Sequence, residues 1–238
     1  MEIIHIAFDR INSTNTYALE NYSSFQQNAL TVISAKEQFA GRGRQKNSWE
    51  SPAGLNIYAT FCLFVPEEHI PICNIPQILA ISCSEIFPEV PIQIKWPNDL
   101  MVNSKKIGGI LCETKSLEKT RFIAVGIGLN VNTSKEQLCS ISKPATSLFA
   151  ETGIPYSVET ILGTLEEKFV QNLIILFRNG FAPFLSTFRK KIYNPGEIRF
   201  SLGNSVIKGK IKDINPDGSI LLDIDNDTTK TFYFGEIL

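Results

Sequence analysis

The chain has 238 residues, 43% of them hydrophobic, and is long enough to bury a core in one large domain or in two unequal ones. Its formal net charge of -1, from 23 Lys plus Arg against 24 Asp plus Glu, excludes a global basic field that would attract nucleic acids or membranes. No apolar run approaches the length of a membrane span, and the amino terminus, MEIIHIAFDR, has the pattern of neither a signal peptide nor a transit peptide.

The cysteines and histidines bear on compartment and on metal binding. The chain has 5 widely spaced cysteines, an odd number without a CxxC pair, which is typical of reduced core thiols in a cytoplasmic protein. Because His5 and His69 are the only histidines, the sequence predicts no protein-held zinc site.

The first two-thirds of the chain mixes strand-like and helix-like patterns. Short connections between the strand-like runs favour an α+β fold with a mixed sheet over a regular alternation of strands and helices. Ser13 or Thr14 is a suitable N-cap for a short helix ending near Tyr22, and Ile75–Phe87 has the spacing of a helix packed on the sheet. The predicted strands are Ile3–Ala7, Leu30–Ala35, Leu55–Phe64, Ile92–Trp96, Ile107–Thr114 and Phe122–Val131.

Two further helices are predicted before a break in the pattern. Val158–Phe177 has apolar residues at helical spacing, with acidic residues early and Arg178 late, as the helix dipole prefers. A second helix is predicted over Ala182–Ile192, and the sequence Asn194-Pro195-Gly196 ends it.

The residues after this break have the pattern of a small SH3-like β-barrel, with turns at Gly203–Asn204 and Pro216–Gly218. We therefore expect one domain of residues 1–192 and a second of residues 193–238. The predicted strands of the second domain are Glu197–Leu202, Val206–Ile214, Ile220–Ile224 and Thr229–Phe234.

The segment GRGRQKNSW, from Gly41 to Trp49, combines glycines, cations and a tryptophan after a predicted strand. Glycines let backbone amides approach an anion, arginines bind phosphate or carboxylate oxygens through paired hydrogen bonds, and an indole ring can stack on a base. The same composition is common in solvated surface loops. These residues alone leave both interpretations open.

Three later segments place charged or glycine residues next to apolar strands. KWPNDL, from Lys95 to Leu100, is also good turn chemistry beside a core tryptophan. KKIGGIL, from Lys105 to Leu111, is compatible with a hairpin and solvated lysines, or with a phosphate-binding lysine and glycines that admit a flat ligand. GIGLNVN, from Gly126 to Asn132, fits either a packed strand or a ligand-facing one. No segment completes GxGxxG or GxxxxGK[ST], so an ATP site here uses neither a Rossmann turn nor a P-loop.

In chain order, these segments resemble the motifs of the biotin–protein ligase family over almost the whole sequence. The matching segments are Ser13-Thr14-Asn15 for the biotin-contact triplet, Gln38 with Gly41 to Trp49 for the adenylate-binding loop, Lys95 to Leu100 for KWPNDL, Lys106 to Leu111 for the KxxGIL-like strand, Gly126 to Asn130 for GxGxN, and Gly235-Glu236-Ile237 for the end of the carboxy-terminal barrel.

The resemblance implies a catalytic domain related to class II aminoacyl-tRNA synthetases, with an SH3-like appendage. It also implies an enzyme that uses ATP, accompanied by Mg²⁺, to activate biotin as an acyl-adenylate and passes biotin to a lysine of a biotin carboxyl carrier domain. Under this resemblance Lys106 and Arg44 are the catalytic cations, placed between the biotin carboxylate and the α-phosphate.

The resemblance assigns the remaining site residues to two overlapping groups. Ser13, Thr14 and Gln38 hold the ureido end of biotin, and Trp49 closes with its loop over the adenylate. The implied biotin-binding residues are Ser13, Thr14, Asn15, Gln38, Arg42, Gly43, Arg44, Lys106 and Gly109; the implied ATP- and adenylate-binding residues are Arg42, Arg44, Trp49, Lys95, Asn98 and Asn130.

The sequence departs from the family pattern in the loop. The common form GRGRxGRxW has Gly where this chain has Lys46 and Arg where it has Asn47, which shifts one cation by a residue. The chain also begins at the first catalytic strand, so we expect no winged-helix domain, no DNA-binding repressor activity and no membrane partner. Whether the protein forms a homodimer is left open.

The nearest alternative enzyme is a lipoate–protein ligase, which shares the acyl-adenylate strategy. Such an enzyme needs an apolar tunnel rather than hydrogen-bonding partners for a ureido ring. Ser13, Thr14 and Gln38 together favour biotin.

Overall fold

The computed structural model describes residues 1–66, 72–141, 143–203, 205–224 and 228–238. Its larger sheet has seven strands in the order β1-β2-β3-β7-β6-β5-β4, with β1 and β2 parallel and all other neighbours antiparallel. This arrangement confirms the predicted mixed sheet. The strands are β1 (Glu2–Ile11), β2 (Ala29–Gln38), β3 (Ile57–Pro66), β4 (Gln93–Lys95), β5 (Asp99–Val102), β6 (Lys105–Ser116) and β7 (Thr120–Leu129).

The helices cover the two faces of this sheet unequally. The longer ones, α2 and α5, pack against each other and share the main hydrophobic core with one face of the sheet, while α1 lies on the opposite face over a smaller cluster that includes Ala18 and Phe122. The second face therefore keeps open area for a site. The helices are α1 (Thr14–Asn21), α2 (Asn74–Glu85), α3 (Lys135–Leu138), α4 (Leu148–Thr152), α5 (Val158–Asn179) and α6 (Leu185–Lys191).

The predicted N-cap at Ser13 is confirmed, and α5 has a comparable N-cap that was not predicted. The side chain of Ser13 accepts a hydrogen bond from the amide of Thr16 at the start of α1, and Ser157 caps α5 in the same way. The helix predicted over Ala182–Ile192 instead begins as a 3₁₀ turn at Ala182–Phe184, with Pro183 in its first turn, and continues as α6.

A second, five-stranded antiparallel sheet of the SH3-like type follows, in the order β11-β10-β9-β8-β12. The predicted turn at Pro216–Gly218 is present, with the Gly218 amide donating to the carbonyl of Asn215. Asn204 of the other predicted turn lies outside the described residues. The strands are β8 (Glu197–Leu202), β9 (Ser205–Ile214), β10 (Ile220–Ile224), β11 (Thr228–Phe232) and β12 (Glu236–Ile237).

The β9–β10 turn of the second sheet contacts the larger sheet through buried polar groups. The carbonyl of Gly218 accepts hydrogen bonds from Trp96 Nε1 at 3.1 Å and from Gln77 Nε2 at 2.8 Å. The rings of Trp96 and Phe200 lie 5.8 Å apart, within one continuous hydrophobic core. The domain boundary at 192/193 stays a prediction, because this packing joins the two sheets without marking a division.

The cysteine prediction needs a correction. All five cysteines are free, but only Cys62 and Cys83 are buried, whereas Cys73 and Cys139 are exposed at the start of α2 and the end of α3. His5 binds Glu166 at 2.7 Å, and His69 lies outside the described residues. Among the described helices, none is both long and apolar enough to cross a membrane.

Candidate active site

The open face of the larger sheet has a floor of glycines at the centre of β6 and β7. Gly109 pairs with Gly128, and Gly126 pairs with Leu111 on the same face. A side chain at Gly126 would overlap the amide of Asn15, and one at Gly128 would overlap the ring of Trp49. The absence of side chains here lets α1 and the Gly41–Trp49 loop approach the strands.

The start of α1 places the predicted triplet beside this floor. Ser13, Thr14 and Asn15 are buried, with 3–4% of their surface exposed. The Oε1 atom of Gln38, at the end of β2, accepts a hydrogen bond from the Thr14 amide at 2.8 Å, and its Nε2 donates to Ser51 Oγ at 3.1 Å. The structure therefore brings together the three side chains predicted to meet the ureido ring, Ser13, Thr14 and Gln38, with Asn15 beside them.

Thr60 and Glu113 extend this polar group below α1. Thr60 Oγ1, buried in β3, lies 2.8 Å from Thr14 Oγ1 and 2.6 Å from Asn15 Oδ1. Asn15 Nδ2 donates to the carbonyl of Leu111 at 3.2 Å and to Glu113 Oε2 at 3.1 Å. Thr60 and Glu113 were absent from the predicted site, because isolated polar residues in a strand resemble ordinary surface positions.

The Gly41–Trp49 loop folds back over the floor. The Gly43 amide donates to the carbonyl of Asn47 at 2.7 Å, and the Trp49 amide donates to the carbonyl of Gly41 at 2.9 Å. Gln45 has φ 51°, a left-handed conformation that tightens the tip. The ring of Trp49 lies against Gly128, and its buried Nε1 has no hydrogen-bond partner among the described residues.

The two loop arginines point to different ends of the site. Arg42 makes paired hydrogen bonds with Glu113, at 2.7 and 3.1 Å, and so lies beside α1. Arg44 donates to Asn98 Oδ1 at 2.9 Å and to the carbonyl of Gly235 at 3.2 Å. Gly43 contributes backbone between them.

Lys106 reaches the site face because β6 has a β-bulge. Leu100 pairs with Gly108 and Met101 with Lys106, so Ile107 is an additional residue in β6. The bulge turns the Lys106 side chain toward Gly109, where a Cβ would lie 3.1 Å from its Nζ. That Nζ lies 2.7 Å from Asp99 Oδ1 and 5.4 Å from the centre of a Trp49 ring, while Lys105 is exposed.

Three predicted residues remain. Lys95 and Asn98 lie at the connection between β4 and β5, and Asn130 follows β7. Burial lowers the pKa of Lys95, opposed by the nearby carboxylates of Asp99 and Glu236. Asn98 Nδ2 donates to the carbonyl of Ile110 at 2.6 Å, which fixes its oxygen toward Arg44. Asn130 is 6% exposed and donates to the carbonyl of Thr146 at 2.9 Å.

A cavity of about 420 Å³ is lined both by Gln38, which was predicted to bind biotin, and by Asn130, which was predicted to bind ATP. Its floor includes the buried amide of Asn56, and its rim includes Gln137 of α3. The lining thus combines polar side chains with apolar surface. Neither α3 nor the cavity was predicted, because residues 133–141 have no strong periodic pattern.

Comparison with known proteins gives two family matches. Residues 7–130 match the Biotin/lipoate A/B protein ligase family, and residues 197–238 match the Biotin protein ligase C terminal domain. The first match covers the strands and the loop that form the site. The second begins at β8.

Individual relatives agree with the family matches. A biotin–[acetyl-CoA-carboxylase] ligase of Paracoccus denitrificans is 30% identical over 90% of this chain and 91% of its own length. The chloroplastic biotin–protein ligase 1 of Arabidopsis thaliana is 32% identical over 72% of this chain, which spans about half (48%) of that relative.

A solved structure confirms the fold. The biotin protein ligase from Aquifex aeolicus, in complex with biotin and ATP, superposes with a TM-score of 0.83 at 28% identity, covering 99% of this chain and 97% of that one. Together these matches show that the chain belongs to the biotin/lipoate A/B protein ligase family and, within it, to the biotin protein ligases.

Proposed function

We propose that the protein is an ATP-dependent biotin–protein ligase that forms biotinyl-adenylate and transfers biotin to a lysine of a biotin carboxyl carrier domain. One observation carries this proposal: a polar group made of buried Ser13 and Thr14 and half-buried Gln38 lies at the same glycine floor as the cations Arg44 and Lys106. A polar head and a carboxylate separated by a short apolar chain, as in biotin, fit this arrangement.

The first reaction joins two anions, the biotin carboxylate and the α-phosphate of ATP. A carboxylate is ionised at neutral pH, so the step requires alignment and relief of repulsion rather than a general base. Lys106 and Arg44 supply positive charge for both anions, and Asn98 holds the Arg44 guanidinium in place at 2.9 Å. The carboxylate oxygen attacks the α-phosphorus, and pyrophosphate leaves.

The nucleotide occupies the side of the site bordered by Lys95, Asn98 and Asn130. The cavity of about 420 Å³ beside Asn130, lined by polar and apolar surface, has room for a base. Among the described residues, no group of three or more His, Cys, Asp or Glu side chains is arranged to hold a metal ion, and Mg²⁺ enters as part of the MgATP substrate.

The second reaction transfers biotin from the adenylate to the acceptor. The mixed anhydride hydrolyses in water, so the Gly41–Trp49 loop, with the Trp49 ring against Gly128, shields it until the acceptor lysine attacks the carbonyl carbon and AMP leaves. The acceptor is a biotin carboxyl carrier domain, and the reaction takes place in the cytoplasm.

The test is biotin-dependent exchange of labelled pyrophosphate into ATP by the purified chain. We expect exchange with biotin and none with lipoate, because lipoate has no ureido ring for Ser13, Thr14 and Gln38. Exchange that requires lipoate instead would contradict the proposal. A mobility-shift assay at low salt, in which we expect no DNA binding, tests the alternative of a repressor.

A further inference from the structure

Glu113, on strand β6, contacts both the Gly41–Trp49 loop and the buried polar group beside α1. We propose that Glu113 is a positioning residue that couples closure of the Gly41–Trp49 loop to the orientation of the groups that receive the ureido ring of biotin. This inference rests on the proposed function and adds a residue to its specificity apparatus.

On the loop side, Glu113 forms the only ion pair that the structure describes between residues 41–49 and the sheet floor. Arg42 Nη2 lies 2.7 Å from Oε1 and Nη1 lies 3.1 Å from Oε2, a paired geometry that fixes the guanidinium in direction as well as in distance. The Glu113 side chain is 23% exposed and that of Arg42 is 42% exposed, so the carboxylate is the more enclosed partner. Glu113 therefore anchors the first half of the loop to a strand.

On the buried side, the same oxygen of Glu113 accepts a hydrogen bond from Asn15. Glu113 Oε2 lies 3.1 Å from Asn15 Nδ2, and the carbonyl of Leu111 lies 3.2 Å from the same nitrogen. Both partners can only accept when Glu113 is ionised, so the amide nitrogen of Asn15 must face them. Its oxygen is then directed at Thr60.

The orientation of Asn15 propagates through two hydroxyl groups. A hydroxyl has one proton, and Thr60 uses it for Asn15 Oδ1 at 2.6 Å. Thr14 must then supply the proton of any hydrogen bond it makes with Thr60 at 2.8 Å or with Gln38 Oε1 at 3.2 Å. The donor role of the Thr14 hydroxyl, one of the groups expected to meet the ureido ring, is thus set from Glu113.

Replacing Glu113 by glutamine changes this pattern with little change in shape. A glutamine has one oxygen, whereas Asn15 and both nitrogens of Arg42 require acceptors. One terminal position becomes an N–H donor facing another donor. Either the loop loses its paired bond or Asn15 loses the acceptor that orients it, so both sides of the site are affected.

The experiment compares wild type with Glu113→Gln in two measurements. The first is the affinity for biotin relative to 2-iminobiotin, whose protonated guanidine presents N–H donors where the urea presents a carbonyl. We expect the preference for biotin to fall about fivefold or more, because the polarity of the network is no longer fixed. The second is hydrogen exchange of the amides in residues 41–49 without ligand, which we expect to quicken about tenfold.

A matched control and a second variant complete the test. Arg189 and Asp213 form a paired ion bridge of 2.6 and 2.7 Å away from the site, and Asp213→Asn should leave both measurements unchanged. Arg42→Gln, a change on the exposed loop, should shift the biotin preference and the amide exchange in the same direction as Glu113→Gln. This second variant keeps the test valid if Glu113→Gln folds poorly. If either measurement for the Glu113 and Arg42 variants equals the Asp213→Asn value, the inference is wrong. Absence of biotin-dependent pyrophosphate exchange in wild type instead contradicts the proposed function itself.

Discussion

The floor of the site and the loop above it are held by different kinds of contact. Strands β6 and β7 pair without interruption from Gly108 and Leu129 to Ser116 and Arg121, so the floor is part of a continuous backbone ladder. The loop has a bridge between its own two sides, at Arg42 and Ser48, and is tied to the rest of the site by side chains.

This difference assigns different tasks to the two regions. Groups on the strands and on α1 are in place before any ligand binds, which avoids reorganisation during the reaction. The loop carries several cations whose mutual repulsion a bound phosphate relieves. We therefore propose that the floor determines where the reacting groups lie and that the loop determines how long the adenylate stays enclosed.

Removing the floor cation should have the largest effect. Lys106→Met deletes the ammonium group beside Trp49 and Asp99 without changing the sheet ladder. We expect a loss of about 3–4 kcal/mol of transition-state stabilisation, or roughly 10²–10³ in rate, by analogy with removal of an oxyanion-hole donor. Pyrophosphate exchange measures the rate, and a thermal melt should show an intact fold.

Lys105→Met is the internal control for this variant. Lys105 is exposed and precedes the bulge that turns Lys106 into the site. Its loss should change stability by no more than roughly 0.5 kcal/mol and leave exchange near the wild-type rate. Near-normal exchange by Lys106→Met, or equal damage from Lys105→Met, would remove Lys106 from the mechanism.

Two floor glycines provide a matched pair that separates the floor from the loop. A Cβ at Gly128 meets the Trp49 ring, which the loop can withdraw, whereas a Cβ at Gly126 meets Asn15 in a buried network. We expect Gly128→Ala to keep its stability but release free adenylate about tenfold faster, because the loop no longer closes on the floor. Gly126→Ala should lower the free energy of unfolding by about 1–3 kcal/mol and weaken biotin binding.

Equilibrium unfolding and the dissociation rate of preformed biotinyl-adenylate give the two readings. The comparison of floor and loop predicts opposite rankings of the two variants in these measurements. Equal losses of stability would show that the loop is as integral to the fold as the strands.

Much of the fold follows from local patterns, because periodicity and capping act over a few residues. The predicted strands Glu197–Leu202 and Ile220–Ile224 coincide with β8 and β10, and the helix predicted over Val158–Phe177 forms α5. Strand β5 was not predicted, because Pro97-Asn98-Asp99 has the composition of a turn. It forms a strand because β4 and β6 pair with it on both sides.

Less of the site than of the fold could be predicted from the sequence. Simple alternation along β6 puts Lys106 and Gly109 on opposite faces, and only the bulge at Ile107 brings them together. Arg42 was expected to line the phosphate region, but its partner Glu113 is 71 residues away, a pairing that no local pattern reveals. The roles of both arginines remain predictions.

Ligand binding should change the loop and leave the floor unchanged. We expect amides in residues 38–49 to exchange several-fold more slowly with biotin and ATP, since bound phosphate neutralises the loop cations and Trp49 covers the adenylate. Amides of β7, already paired on both sides, should show little change. Equal exchange of the loop with and without ligands would contradict its role as a closing segment.

The smallest expected effect concerns the proton on Lys95, a cation at the end of β4. Burial lowers its pKa below the ordinary value of 10.5, with Asp99 and Glu236 opposing the shift. A nearby phosphate stabilises the protonated form, so ATP binding should take up protons once the pH exceeds this lowered pKa. Affinity for ATP should therefore fall as the pH rises from this lowered pKa toward the higher pKa that Lys95 has in the ATP complex.

The stability of the free chain should respond in the opposite direction. The folded state disfavours the charged lysine, so the destabilising contribution of Lys95 is present below its lowered pKa and disappears as the pH rises toward 10.5. Lys95→Arg keeps a cation that does not titrate in this range. We expect KM for ATP to rise more steeply with pH in wild type than in Lys95→Arg as the pH is raised toward 10.5. Identical pH profiles for the two proteins would place Lys95 outside the nucleotide site.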